Sequence, residues 1–96
     1  MLTSKQRAKL KSIASTTETI LQIGKGGVND QLATQVDDAL TARELIKLHA
    51  LETCPEEPRE AAEILAEATH SEVVQIIGRR IVLYRRNPKK PQITLD

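Results

Sequence analysis

The sequence predicts an α+β domain of element order α-β-α-β-α-β-β, with helices packed on a four-stranded mixed sheet. Three observations predict it. Helical and extended hydrophobic periods alternate along the chain. The first strand-helix-strand unit implies a parallel pair with a right-handed crossover, while the last two strands are close enough for an antiparallel hairpin. The 96 residues hold one core and no more.

Residues 3–15 read as the first helix. Thr3 and Gln6 have capping-box spacing, and Leu10, Ile13 and Ala14 form an apolar stripe with the basic residues mostly off it. Residues 19–23 read as a short buried strand. Residues 29–43 read as a second helix with Asn29 as N-cap, a stripe of Leu32, Val36, Ala39 and Leu40, and Asp30, Asp37 and Asp38 toward water. Leu45 to Leu51 alternates as a strand, with Ile46, Leu48 and Ala50 on one face and Lys47 and His49 on the other.

Cys54 to Pro58 is a loop, because its two prolines prevent regular structure, and Pro58 suits the first position of a helix. That third helix, 58–69, is expected to bury Ala61, Ile64, Leu65 and Ala68 and to expose Glu60, Glu63 and Glu67. Val73 to Ile77 and Ile81 to Arg86 read as strands joined at Gly78, which supplies the unusual turn dihedral. The folded domain is expected over 1–87, with 88–96 a flexible tail carrying few anchors.

Composition narrows the function. With no Phe, no Trp and one Tyr, the core is aliphatic, and base stacking on a row of sheet aromatics is not the main mechanism. The single Cys54 forms no internal disulfide, no apolar run is long enough for a membrane span, and the N-terminus lacks a signal-peptide core. A cytoplasmic protein without membrane attachment is expected. His49, His70 and Cys54 are isolated, with no pair at ligand spacing, so no metal, cofactor, small-molecule substrate or catalytic group is expected.

The net charge of +1 conceals segregation. Lys5, Arg7, Lys9 and Lys11, with Arg79, Arg80, Arg85, Arg86, Lys89 and Lys90, supply ten of the fourteen basic residues. Between them, Glu52 to Glu72 carries seven glutamates against one arginine. A basic face for a polyanion is expected opposite an acidic one.

Gly24, Lys25, Gly26 and Gly27 stand between the first strand and the second helix and include three of the four glycines. Such a loop lets backbone N–H groups approach a phosphate at a helix N-terminus, and Lys25 adds a charge. The P-loop spacing is absent, and Asn29 stands where the dinucleotide fingerprint needs glycine. What remains is a G-x-x-G loop with a basic residue inside it, the pattern with which KH domains clamp a nucleic-acid backbone.

Three stretches carry a family resemblance: Gln22 to Asn29, Ala42 to Lys47, and Gln75 to Arg85. They resemble the CRM domain, the YhbY-type RNA-binding family, over residues 1–87. The resemblance implies a fold similar to the C-terminal domain of translation initiation factor three and an RNA contact at the G-x-x-G loop. It further implies association with ribosomal RNA in precursor large subunits during ribosome assembly, as for the bacterial stand-alone form. His70 stands where that family is expected to close the third helix with glycine.

The expected RNA-binding residues are Gly24, Lys25, Gly26, Gly27, Lys5, Lys9, Arg79, Arg80, Arg85 and Arg86, which requires the loop, the first helix and the arginine hairpin to share one face. Tyr84 is read as structural or mixed in role. The alternative is a protein-interaction module in which the acidic third helix, with Asp37 and Asp38, docks a basic partner.

Overall fold

The computed structural model describes residues 2–95. Thr3 opens helix α1 (Ser4–Ala14): its hydroxyl accepts from the Gln6 amide and the Gln6 side chain accepts from the Thr3 amide, completing the capping box. Asn29 opens α2 (Asp30–Arg43) by accepting from the Leu32 amide at 2.8 Å. Pro58 takes the first position of α3 (Pro58–Thr69), where its missing N–H costs nothing. His70 ends α3 in a left-handed conformation, φ 56° and ψ 43°, the place usually given to glycine.

The strands are β1 (Thr19–Ile23), β2 (Leu45–Ala50), β3 (Glu72–Ile77) and β4 (Arg80–Tyr84), in sheet order β1-β2-β4-β3. The β1–β2 pair is parallel, and β4 pairs antiparallel with both β2 and β3, so the α+β reading with a mixed sheet holds. Gly78, with φ 59°, takes the first position of the two-residue hairpin turn; β4 therefore begins at Arg80, one residue earlier than expected, and ends at Tyr84.

Alternation along β2 divides the core. Ile46, Leu48 and Ala50 meet Val36, Leu40, Ala61 and Leu65 of α2 and α3. Leu45, on the other face, joins Leu10, Ala14, Val74, Val82 and Tyr84 beneath α1. Tyr84 is thus a core residue.

Two expectations about α3 are corrected. Ile64 is 42% exposed and Ala68 is also exposed, whereas Ala62 and Thr69 are buried. The buried stripe runs Ala61, Ala62, Leu65, Thr69, rotated from the predicted one. Thr69 tolerates burial because its hydroxyl donates to the Leu65 carbonyl at 2.7 Å.

Glu44, fully buried at the end of α2 with φ 64°, organises the chain beyond β4. Its carboxylate accepts from the amides of Asn87 (2.6 Å), Gln92 (2.5 Å) and Ile93 (2.8 Å). Ile93 and Leu95 lie against the α1 cluster, and Lys9 donates to the Thr94 carbonyl. These contacts fall on the segment that sequence reasoning reads as a flexible tail.

Candidate nucleic-acid interface

The register fixes which basic residues meet. Parallel pairing puts Ile23 beside Ala50 at the C-terminal ends of β1 and β2, and antiparallel pairing puts Arg80 beside His49. The glycine loop after β1 and the Gly78–Arg79 turn therefore occupy the same end of the sheet. The Leu51 amide donates to the Ile23 carbonyl and the Ala50 amide to the Arg79 carbonyl, both within 2.9 Å, joining the two turns through the end of β2.

Within the loop, the Gly27 amide donates to the Gly24 carbonyl at 3.0 Å, closing a tight turn. Gly27 has φ 68°, and a Cβ there would stand 2.6 Å from Glu56 Oε1 and 2.9 Å from Pro55 Cγ. This glycine is required by the fold itself. Gly24 and Gly26 differ: a Cβ on Gly24 meets nothing within 4 Å, and one on Gly26 meets only Asn29 Nδ2 at 3.8 Å. Their outer side is open. The Glu56 carboxylate already accepts from the Val28 amide at 3.2 Å. The amides of Lys25 and Gly26 have no partner within the described residues, and the Lys25 side chain extends into solvent without an ion pair there. Unsatisfied N–H groups beside a free ammonium make a seat for an anion.

The four arginines from Arg79 onward separate into two groups. Arg79 donates Nε to the Ala50 carbonyl and Nη2 to the Leu51 carbonyl, each at 2.7 Å, so its guanidinium holds the hairpin to the end of β2. Arg80 is exposed; its Nε lies 3.4 Å from Thr19 Oγ1, so its side chain reaches across β2 toward β1. Arg85 and Arg86 follow the far end of β4, about 16 Å from Arg80 at strand rise. Arg85 pairs with Asp37 at 2.5 Å and also donates to the Thr69 carbonyl, the Asp37 carbonyl and Thr41 Oγ1. Arg86 is exposed.

The first half of α1 belongs to that second end, where Gln6 shares a concavity with Tyr84, Arg85 and Arg86. Lys5 is exposed there, Lys9 is turned to Thr94, and Arg7 donates to the carbonyls of Val73 and Val74 at 2.6 and 3.1 Å. The structure thus brings Lys25, Arg79 and Arg80 together with the glycines, and sets Lys5, Lys9, Arg85 and Arg86 apart from them. The loop with Arg80 and the pair Arg85–Arg86 therefore stand at opposite ends of β4.

Sequence reasoning left Lys47 and His49 out of the site. Pairing aligns Gln22, His49, Arg80 and Ile77 in one row across all four strands, and Thr19, Lys47, Val82 and Gln75 in the next. Helix α1 covers Val82 but leaves the first row open, with Ile77 62% exposed. The alternation of β2 puts Lys47 and His49 on one face, but it is strand pairing that sets His49 opposite Arg80 and Lys47 between Thr19 and Val82.

Other candidates have structural surroundings. Cys54 is buried, and burial, together with the adjacent Glu56 carboxylate, pushes its thiol above the ordinary range. Burial works to raise the Glu44 carboxyl, but the amides of Asn87, Gln92 and Ile93, with nearby Arg86, outweigh it and hold the group below its usual value. No three His, Cys, Asp or Glu side chains converge as a metal site among the described residues. No described helix is long and apolar enough to cross a membrane.

The family model for the CRS1 / YhbY (CRM) domain matches residues 2–85. The probable RNA-binding protein YqeI of Bacillus subtilis is 46% identical over 95 residues, spanning 99% of each chain. The probable RNA-binding protein PA4753 of Pseudomonas aeruginosa is 30% identical over 88 residues, spanning 92% of this chain and 85% of that one. Among solved structures, the hypothetical protein SAV1595 of Staphylococcus aureus superposes with a TM-score of 0.83 at 48% identity, over 100% of both chains.

Proposed function

Because the chain belongs to the CRS1 / YhbY (CRM) domain family, we propose that it is a non-enzymatic RNA-binding protein whose phosphate seat is the glycine-loop end of the sheet. The observation that carries this reading is the pair of unpartnered amides at Lys25 and Gly26, set beside Lys25 and at the same end as exposed Arg80. Two amides and a nearby ammonium favour an anion, and a ribose-phosphate backbone supplies one at every nucleotide. Arg80 and Lys47 extend the positive potential over the sheet face. Contacts of this kind position a strand without reading its sequence, so preference comes from RNA shape.

The proposed target is ribosomal RNA in precursor large subunits, as the family resemblance implies, with action in the cytoplasm. The names of YqeI and PA4753 support RNA as the partner class. The test is binding of labelled ribosomal RNA fragments to the wild-type chain and to the Lys25→Ala/Arg80→Ala double variant. Loss of two phosphate contacts is expected to weaken binding about tenfold or more, uniformly across sequences. Unchanged affinity in a folded double variant would remove this end of the sheet from the interface.

A second reading keeps the acidic face. Ile64 lies exposed among Glu57, Glu60 and Glu63, with the single cation Arg59, a mainly acidic surface suited to a basic protein. Asp37 has its ion pair with Arg85 already, so only α3 and Asp38 remain for that purpose. Capture of partners before and after nuclease treatment separates the readings: partners retained after nuclease are held by protein contact.

A further inference from the structure

Two shallow concavities meet along the edge of β1. One holds the glycine loop and includes Gly26, Gln22 and Gln35. The other includes Thr19, His49 and Arg80, and again Gln22 and Gln35. Because they share both glutamines, they form a continuous groove from the unpartnered loop amides, around the strand edge, onto the open sheet face. Among the described residues edge strand β1 pairs with β2 alone, so no neighbouring strand closes the groove there.

The groove's chemistry changes along its length. At the loop it is lined by Gly24, Gly26 and Gly27, with the unpartnered Gly26 amide and with Lys25 next in the chain, which suits phosphate. In the middle, Gln22 and Gln35 each carry a donor and an acceptor, which suit the edge of a base. At the far end His49 and Arg80 are cross-strand neighbours with planar side chains, which suit the face of a base. Tyr84 is buried and the chain has no Phe or Trp, so aromatic stacking at this end falls to His49.

Resting on the RNA-binding reading above, we infer that the RNA is taken as an unpaired segment, with a backbone phosphate at Lys25–Gly26 and the following base laid on His49 and Arg80. Paired RNA hides the base faces inside the stack and turns its pairing edges toward the opposite strand, so a duplex offers this groove only phosphates and sugars. A loop, bulge or single-stranded end offers all three chemistries in the order the groove presents them.

The test compares a single-stranded RNA of about ten nucleotides with the same strand annealed to its complement, titrated into the full chain at fixed salt. The wild-type chain is expected to bind the single strand about tenfold or more tighter, in line with the contribution of one stacked base. His49→Ala is expected to remove about 5- to 100-fold of single-strand affinity and leave duplex affinity unchanged. His49→Tyr, which restores a stacking plane, is expected to recover it. Equal affinity for both RNA forms, an equal loss on both with His49→Ala, or no recovery with His49→Tyr would overturn the inference while RNA binding itself stood. Failure of the wild-type chain to bind either form would overturn both.

Discussion

Replacing Gly27 with alanine separates the fold from the function of the glycine loop. The backbone at Gly27 has φ 68°, and a Cβ would stand 2.6 Å from Glu56 Oε1 and 2.9 Å from Pro55 Cγ. Holding alanine in the left-handed region costs about 1–2 kcal/mol. The Glu56 carboxylate can swing aside, but the Val28 amide then loses its acceptor, at about 1 kcal/mol. The Pro55 ring has no rotamer to retreat into, so the loop backbone must shift. The sum is about 2–4 kcal/mol, roughly 10–25 °C in Tm for a domain of this size. Gly26→Ala meets only Asn29 Nδ2 at 3.8 Å and is expected to stay within about 0.5 kcal/mol of wild type; with the phosphate seat proposed above, its new methyl would weaken RNA binding. Urea unfolding followed by far-UV circular dichroism suits a chain without tryptophan. If Gly27→Ala proves as stable as wild type, or Gly26→Ala unfolds as readily as Gly27→Ala, the division of labour between the two glycines is wrong.

Three further outcomes follow from charge placement. Arg85→Ala removes the Asp37 pair and leaves the Thr69 carbonyl without its arginine donor, at a cost of about 1–3 kcal/mol; Arg80→Ala, with one long contact, should leave the unfolding midpoint almost unchanged yet weaken RNA binding. Glu44 has a depressed folded-state pKa, so its stabilising contribution is complete above the unfolded carboxyl value, near 4.3, and disappears as pH falls through the lower folded value. Glu44→Gln should therefore lower stability by about 1.5–3 kcal/mol at neutral pH and flatten the acid limb of the stability profile, measured by denaturation between pH 3 and about 7.

Local chemistry made most of the fold legible. Thr3 with Gln6, Asn29, Pro58 and Gly78 each announce an element boundary through a cap or turn requirement that depends on few neighbours. Helix α3 was harder because its apolar residues surround most of the helix. Ala61, Ala62, Ile64, Leu65, Ala66 and Ala68 fit more than one stripe, and only the sheet beneath selects the face. Glu44 was illegible because its burial depends on amides more than forty residues away.

The candidate site divides in the same way. The glycine loop stands out in sequence because backbone freedom is a local property. Charge counting groups neighbours in sequence, whereas strand pairing decides which of them are neighbours in space. Strand β4 runs between Arg80 and Arg85 and carries them to opposite ends of the sheet, while Arg79 and Arg85 are occupied by protein carbonyls. Lys47 and His49 became visible only when pairing set them beside Thr19 and Arg80.

Amide chemical-shift mapping during titration with RNA tests the location of the phosphate seat most directly, and a 96-residue chain is well suited to it. The largest changes are expected at Lys25 and Gly26, with a second group at Gln22, Lys47, His49 and Arg80. Changes centred instead on Lys5, Arg85 and Arg86, or on Glu60, Glu63 and Ile64, with the glycine-loop amides unmoved, would contradict the account.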